Sequence, residues 1–211
     1  MIRAVLFDAA GTLIETVEPV GETYSRYARR YGLAISAWRL GDAFQRVFEA
    51  APPPVFPGLG AAARTTKERA WWRERVHETF RAADSAQRPR DFDALFADLW
   101  HHFSGAGAWR LRPGAHETLV RLREAGIQTG VVSNFDGRLP GILEGLGLLP
   151  LLDTVILPAD AGAAKPDPRI FSAALERLRV RAGETVFVGD HAEQDLAGAR
   201  SVGLQAVDAT A

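Results

Sequence analysis

Four short polar segments along the sequence hold the side chains that could do chemistry. They are Asp8-Ala9-Ala10-Gly11-Thr12, Ser133-Asn134, Lys165-Pro166-Asp167-Pro168 and Gly189-Asp190. Asp8 and Asp190 offer the hard carboxylate oxygens that octahedral Mg²⁺ prefers, and two carboxylates close together repel each other unless a cation lies between them. Ser133 could donate to a phosphoryl oxygen, and Lys165 could neutralise negative charge that develops there. An aspartate can also act as the nucleophile and become phosphorylated itself.

The lysine at position 165 is unusual in this composition. The chain has 25 lysine and arginine residues, and of these only Lys67 and Lys165 are lysine. A lysine side chain differs from arginine in presenting a compact point charge. Its presence at position 165 therefore favours a role in phosphate chemistry over the alternative of a solvated surface lysine.

Each polar segment follows or adjoins a short apolar run that predicts a buried strand. The predicted strands are residues 2–7, 129–132, 155–157, 186–188 and 204–207, with helices predicted between them, the last over 193–201. Strands separated by helices pair in parallel, so the sequence predicts an α/β fold with an open parallel sheet. Ligands bind such sheets at the carboxyl ends of the strands, which is where the polar segments lie.

Between Glu18 and Phe103 the sequence has the periodicity of amphipathic helices and no strand pattern. Three consecutive prolines at 52–54 end one helix, because proline lacks the amide donor. Thr65, with Glu68 three residues later, predicts a capping box at the start of the next helix. The aromatic residues of this stretch are expected in the core of a helical bundle; they include Trp71, Trp72, Phe92 and Trp100. The sequence thus predicts a helical insertion just after the first strand.

The composition argues against several classes of protein. A formal net charge of −1 is unlike the broadly basic surface of a nucleic-acid-binding protein. No apolar run approaches the ~18 residues of a membrane span, and the first residues lead into a strand pattern and not into a signal peptide. Cysteine is absent, which excludes disulfides, thiolate nucleophiles and cysteine-bound zinc. We expect a cytoplasmic protein that acts on a small molecule, without nucleic acid or membrane; the oligomeric state stays open.

The four polar segments, taken in order, resemble the four motifs of the haloacid dehalogenase-like hydrolase superfamily. They read Asp-x-x-Gly-Thr, Ser-Asn, Lys-Pro and Gly-Asp-x-x-x-x-Asp, the last ending at Asp195. The helical stretch resembles that superfamily's α-helical cap. Residues 132–136 and 165–171 most resemble the branch called haloacid dehalogenase-like hydrolase domain-containing 3. The resemblance implies a Rossmann-like core domain of residues 1–16 and 106–211, with an α-helical cap domain of residues 17–105 inserted into it.

The resemblance also implies an activity, a Mg²⁺-dependent phosphatase that forms an aspartyl phosphate with a small phosphorylated metabolite. Asp8 would be the nucleophile, Lys165 would be catalytic and would also hold the phosphate, and Ser133 would hold the phosphate with it. Thr12 and Asn134 would bind substrate too, although Thr12 could be only a turn hydroxyl.

The metal ligands implied by the resemblance are Asp8, Asp190 and the backbone carbonyl of residue 10, with Asp195 in support. For Asp195 an alternative is a first-turn helix carboxylate that the helix dipole favours. One departure concerns residue 10, where the phosphatases of the superfamily carry a second aspartate that protonates the leaving group and then activates water. Here it is Ala10, which keeps the carbonyl but loses an acid–base group worth about 10²–10⁴ in rate.

This departure leaves three functions open. The first is a slow phosphatase, and the second is a catalytically weakened relative that binds phosphate or metal in a regulatory role. The third is a haloacid dehalogenase, since those enzymes lack the second aspartate as well. Gly189-Asp190 favours the first two, because an added carboxylate beside Asp8 would repel an anionic haloacid. His191 is a candidate replacement acid, although an exposed loop histidine is the simpler interpretation.

Overall fold

A computed structural model describes all 211 residues and shows seven short β-strands. They are β1 (Ala4–Phe7), β2 (Ile14–Thr16), β3 (Trp109–Leu111), β4 (Gln128–Val132), β5 (Thr154–Ile156), β6 (Thr185–Gly189) and β7 (Gln205–Asp208). Five of them form one parallel sheet in the order β5-β4-β1-β6-β7. The predicted α/β fold with an open parallel sheet is therefore confirmed. Each predicted strand overlaps an observed one, and their ends differ by at most two residues.

Nine α-helices accompany the strands. They are α1 (Val20–Arg30), α2 (Ala37–Ala50), α3 (Ala61–Ala83), α4 (Phe92–Ser104), α5 (Ala115–Glu124), α6 (Leu139–Gly145), α7 (Pro158–Ala161), α8 (Pro168–Leu178) and α9 (Gly198–Ser201). The last helix was predicted as one continuous element over 193–201. It is instead a π-helical turn over Ala192–Ala197 followed by the single turn of α9.

The central strand β1 is buried on both faces, which explains its continuous apolar sequence. Val5 and Phe7 belong to the hydrophobic cluster that includes residues of α5 and α6. Ala4 and Leu6 point to the other face, into the cluster that includes residues of α8 and α9. Because β1 pairs with β4 on one side and β6 on the other, the loops that leave these three strands meet at the same edge of the sheet.

Helices α1 to α4 follow one another in the chain and share their own hydrophobic cluster, which we call the bundle cluster. Trp72, Phe92 and Trp100 pack against its edge, in line with the prediction for the aromatic residues. Trp71 was predicted there too and lies outside the cluster, with its ring against Phe48 and Trp72 and its indole N–H on the Pro52 carbonyl at 3.0 Å. None of the nine helices has the length and apolar character needed to cross a membrane.

A small antiparallel pair, β2 with β3, connects the sheet to the helical bundle, and the sequence did not reveal it. It pairs Ile14 with Leu111 across a separation that spans all four bundle helices. The insertion therefore begins after β2 and not directly after the first strand. The predicted domain boundary at 16/17 falls at the end of β2, and the one at 105/106 falls between α4 and β3; both stay a prediction.

The capping box predicted at Thr65 was wrong. Helix α3 begins at Ala61, one turn earlier, after Gly60 at its N-cap position. The Thr65 hydroxyl donates back to the Ala61 carbonyl at 3.0 Å, as hydroxyls inside helices do. Glu68 is free for another use, and its buried carboxylate accepts the backbone N–H of Gly137 at 3.2 Å.

Candidate active site

Lys165 is at the centre of a buried cluster of charged side chains at the carboxyl edge of the sheet. Its ammonium lies 2.5 Å from an oxygen of Asp8, directly after β1, and 2.6 Å from an oxygen of Asp195 in the turn after β6. All three residues are almost fully buried, with exposures of 5%, 6% and 1%. At such depth an unpaired ammonium would be costly, and its ion pairs with the two carboxylates offset that cost.

A third carboxylate, that of Asp190, lies beside the two that contact the ammonium. Asp8, Asp190 and Asp195 each offer an oxygen, and these oxygens all lie within 4.8 Å of one another. Asp190 is exposed at the surface, whereas the other two are buried. Lys165 neutralises one of the three negative charges, so the cluster keeps an excess that a divalent cation would neutralise. A set of hard carboxylate oxygens beside solvent suits Mg²⁺, which retains several waters.

The charges of the cluster change the protonation of its members. Burial raises the pKa of Asp8, and repulsion from Asp195 adds to the effect, although the ion pair with Lys165 opposes it. Burial alone would lower the pKa of Lys165, but the attraction of Asp8 and Asp195 outweighs it and the pKa is raised. The ammonium therefore stays charged at neutral pH, and Asp8 is a less acidic carboxyl than one in water.

Asp195 has both carboxylate oxygens committed to the protein. One accepts from Lys165, and the other accepts the backbone N–H of His191 at 3.0 Å. Gly189 is required beside it, because a side-chain carbon at residue 189 would lie 2.5 Å from the second oxygen. Asp195 thus binds the ammonium of Lys165 and fixes the loop that carries Asp190. Both contacts are consistent with a supporting role beside Asp8 and Asp190.

Asn134 contacts the backbone of Lys165 through both atoms of its amide. Its oxygen accepts the Lys165 N–H at 2.7 Å, and its nitrogen donates to the Lys165 carbonyl at 3.0 Å and to the Gln194 side chain at 3.1 Å. The sequence predicted a substrate ligand here. The amide in the structure instead fixes the segment that carries the lysine, and contact with substrate stays a prediction.

Ser133 and Thr12, the two hydroxyls of the predicted site, differ in their surroundings. Ser133 is 3% exposed at the end of β4, and its oxygen accepts the backbone N–H of Phe135 at 3.3 Å. Its hydroxyl hydrogen has no acceptor among the protein's hydrogen bonds and is available to a phosphoryl oxygen. The Thr12 hydroxyl lies 3.5 Å from a carboxylate oxygen of Asp190, at the outer limit of a hydrogen bond.

Gly11 brings the first and last motifs into contact, a role that sequence analysis missed. Its φ of +95° favours glycine, and a side-chain carbon there would lie 2.1 Å from an oxygen of Asp190. The absence of a side chain lets the Asp190 carboxylate lie directly against the loop that begins at Asp8. The signal in the sequence was the glycine itself, three residues after a strand-end aspartate.

The positions considered for acid–base chemistry are both at the surface. Ala10 is exposed. His191 is exposed as well, and its Nδ1 accepts the backbone N–H of Gln194 at 3.2 Å, so it caps the following turn. The sequence-based interpretation of His191 as a loop residue agrees with this placement.

Asp136, which the sequence did not single out as functional, joins α3 to the loop after Ser133. Its buried carboxylate accepts the indole N–H of Trp72 at 2.6 Å and two guanidinium N–H groups of Arg138 at 2.8 and 2.6 Å. One turn before Trp72 on the same face of α3, Glu68 accepts from Gly137. The bundle is thereby anchored to the segment that begins with Ser133.

The model of one protein family covers almost all of this chain. Residues 2–203 match the family described as haloacid dehalogenase-like hydrolase. The chain belongs to the haloacid dehalogenase-like hydrolases. The resemblance drawn from the four motifs is thus confirmed, and the family indicates a hydrolase.

Individual members of this hydrolase family share much of the chain. The haloacid dehalogenase-like hydrolase domain-containing protein 3 of Danio rerio is 38% identical, over 97% of this chain and 83% of its own length. A ribulose-1,5-bisphosphate 5-phosphatase of Halopiger xanaduensis is 31% identical, over 98% and 84%. A crystal structure described as a dehalogenase superposes with a TM-score of 0.71 at 28% identity, covering 98% of this chain and 84% of that one. The family therefore contains both phosphatases and dehalogenases.

Proposed function

We propose that this hydrolase is a Mg²⁺-dependent phosphomonoesterase that forms an aspartyl phosphate on Asp8. The observation that carries the proposal is the cluster of three carboxylates, with oxygens within 4.8 Å of one another, two of which pair with the Lys165 ammonium. Such a cluster has an excess of negative charge that a divalent cation would neutralise. A dehalogenase would have to bring an anionic haloacid to this same cluster without that cation.

Each residue has a role in the proposed reaction. A carboxylate oxygen of Asp8 attacks phosphorus; a P–O bond to Asp8 forms while the P–O bond to the leaving group breaks with its electron pair. Lys165 and Ser133 hold the phosphoryl oxygens, and Asn134 keeps Lys165 in place through its backbone. Mg²⁺ bound by Asp8 and Asp190, with the carbonyl of residue 10 and support from Asp195, would supply charge neutralisation at the phosphate.

Proton transfer is the weak part of this site. The departing oxygen needs a proton, and water must later be activated to hydrolyse the aspartyl phosphate. Ala10 can do neither, so we expect turnover about 10²–10⁴ below that of a site with a positioned carboxyl. This deficit also supports a second candidate, a relative that binds phosphate and metal in a regulatory role. The dehalogenase named among the similar structures makes haloacid hydrolysis a third candidate.

The setting of the reaction is part of the proposal. Residues 17–105 act as a cap domain over a core of residues 1–16 and 106–211, and the substrate is a small phosphorylated metabolite in the cytoplasm. A relative named as a ribulose-1,5-bisphosphate 5-phosphatase supports phosphate-ester hydrolysis on a molecule of small size. Neither nucleic acid nor a membrane takes part.

Steady-state turnover of phosphomonoesters, measured with Mg²⁺ and with excess chelator, separates the candidates. The proposal predicts phosphate release that requires Mg²⁺, and no halide release from 2-haloacids. Halide release without metal would establish the dehalogenase. Binding of Mg²⁺ and inorganic phosphate by calorimetry, without turnover of any ester, would favour the regulatory relative.

A further inference from the structure

An apolar cavity of about 80 Å³ lies where the helical bundle meets the β2–β3 pair and the loop after β4. Eleven of its 13 lining residues are hydrophobic, so it offers almost no partner to a hydroxyl group. The aromatic part of the lining includes Tyr24, Phe44, Trp72, Trp100, Phe103 and Trp109. One water needs about 10–15 Å³ of such space, so the cavity has room for about as many non-hydrogen atoms as a small ring contains.

The cavity adjoins the segments that leave the candidate active site. Phe135 lines it and donates its backbone N–H to Ser133, the expected phosphate ligand, at 3.3 Å. Thr16 lines it at the end of β2, whose first residue bridges Ala10. The cavity is therefore next to the segments that carry Ser133 and Ala10.

The one charged residue of the lining, Arg138, is already neutralised. Asp136 accepts two of its guanidinium N–H groups, at 2.8 and 2.6 Å, and the guanidinium carbon lies 4.1 Å from the centroid of a Trp100 ring. Arg138 thus forms a flat, paired wall of the cavity. A second phosphate or carboxylate on the substrate would find no uncompensated positive charge here.

We propose that this cavity receives the leaving group, and that the substrates are monoesters of small, flat, apolar alcohols such as phenols. The inference rests on the proposed phosphatase function and deepens it. Burying an aryl group here removes apolar surface from water, whereas each hydroxyl of a sugar would lose its hydrogen bonds to water without replacement. The selectivity is therefore expected to run against sugar phosphates, including bisphosphates.

The test compares phenyl phosphate with ribose 5-phosphate as substrates. The expected kcat/KM is at least about tenfold higher for phenyl phosphate, the scale of a small apolar contact. Val20→Phe places a ring in the cavity and should lower kcat/KM for phenyl phosphate about tenfold, while changing it little for ribose 5-phosphate. Val17→Phe makes the same change at a side chain that is 48% exposed and outside the lining, and should alter neither value.

A second measurement does not depend on catalysis. Binding of phenol itself, followed by calorimetry, should be weakened in Val20→Phe and unchanged in Val17→Phe. If phenol binds in this pattern but no ester is hydrolysed, the cavity assignment stands and the phosphatase proposal fails. If Val20→Phe does not fold, Val20→Ala should instead shift the preference towards the larger 1-naphthyl phosphate. Preference for ribose 5-phosphate, or phenol binding that no variant changes, would overturn the cavity assignment while leaving the phosphatase proposal intact.

Discussion

The side-chain amide of Asn134 brackets the backbone of Lys165, accepting its N–H at 2.7 Å and donating to its carbonyl at 3.0 Å. Replacing Asn134 with alanine leaves the lysine in the chain but releases the segment that carries it. A displacement of about 1 Å in a catalytic group can cost about 100-fold in rate. We expect kcat of Asn134→Ala to fall by about 10- to 100-fold in a protein that remains folded.

The matched control is Gln194→Ala, which removes the other partner of the Asn134 amide and leaves both bonds to Lys165. Its kcat should change by less than about threefold. If Asn134→Ala raised KM and left kcat unaltered, Asn134 would be a direct substrate ligand, as the sequence predicted.

Gly11 provides a test of the cation site. Gly11→Ala places a carbon 2.1 Å from an Asp190 oxygen and should displace that carboxylate. Mg²⁺ affinity, measured by calorimetry, is expected to fall by about 10- to 100-fold, as for other changes that misorient a metal ligand. Any alanine at this φ also costs about 1–2 kcal/mol of stability through backbone strain.

Gly126→Ala separates the two effects. Gly126 has a φ of +71°, and a side-chain carbon added there would have no atom within 4 Å. Gly126→Ala therefore introduces the backbone strain without a steric clash. Both variants should lose stability, and only Gly11→Ala should lose Mg²⁺. Equal affinity in wild type and Gly11→Ala would place the cation away from Asp190.

The raised pKa of Asp8 predicts a stabilising substitution. Since burial disfavours the ionised carboxyl, ionised Asp8 costs the folded, metal-free protein stability. Below the ordinary value of 3.8 the group is protonated in both the folded and unfolded chains, and the cost is absent. It grows as the pH rises from there through the folded-state pKa. Asp8→Asn should therefore raise the melting temperature more at pH 7 than at pH 4.

Thermal unfolding in excess chelator measures this difference, at about 2–4 °C for each kcal/mol in a chain of this size. The gain should shrink when Mg²⁺ is added, because the cation stabilises wild type and has lost a ligand in the variant. A lower melting temperature for Asp8→Asn at pH 7 would mean that the Lys165 ion pair outweighs the cost of burying Asp8.

Ala10→Asp restores the acid–base group that other phosphatases of the family carry. Residue 10 is exposed, so a larger side chain meets no packing barrier. Turnover of an accepted ester should rise, with an upper scale of about 10²–10⁴. The comparison is steady-state kcat for the two proteins at matched Mg²⁺ across pH. An unchanged kcat in an already active protein would show that another group, such as His191 or Glu193, supplies the proton; a lower kcat would show that residue 10 has a different role.

The strand ends were predictable because buried parallel strands such as Ala4–Phe7 are short, continuous apolar runs. The polar residue after each run, such as Asp8, then falls at one edge of the sheet. The β2–β3 pair was not predictable. Ile14-Glu15-Thr16 is too short to show the alternation of apolar and polar residues typical of a strand. Its partner strand lies beyond all four bundle helices in the sequence.

Local sequence patterns gave wrong or incomplete predictions where contacts between residues distant in the sequence determine the structure. Thr65 and Glu68 have the spacing of a capping box, but the Glu68 carboxylate accepts the backbone N–H of Gly137, which lies 69 residues further along the chain. The role of Asn134 is similar, because its partner Lys165 comes from a loop 31 residues away. Residue type identified Asn134 as part of the site, and only the three-dimensional arrangement shows which atoms it contacts.

The central claim, that Asp8 accepts the phosphoryl group, is tested by acid quenching followed by mass spectrometry of the intact and proteolysed chain. Without a carboxyl at residue 10 to activate water, the aspartyl phosphate should hydrolyse slowly and accumulate during turnover. We predict a singly phosphorylated chain with the modification on Asp8, formed only with Mg²⁺ and absent in Asp8→Asn. Turnover of the ester with no phosphorylated chain, or with the phosphoryl group on another residue, would contradict the account.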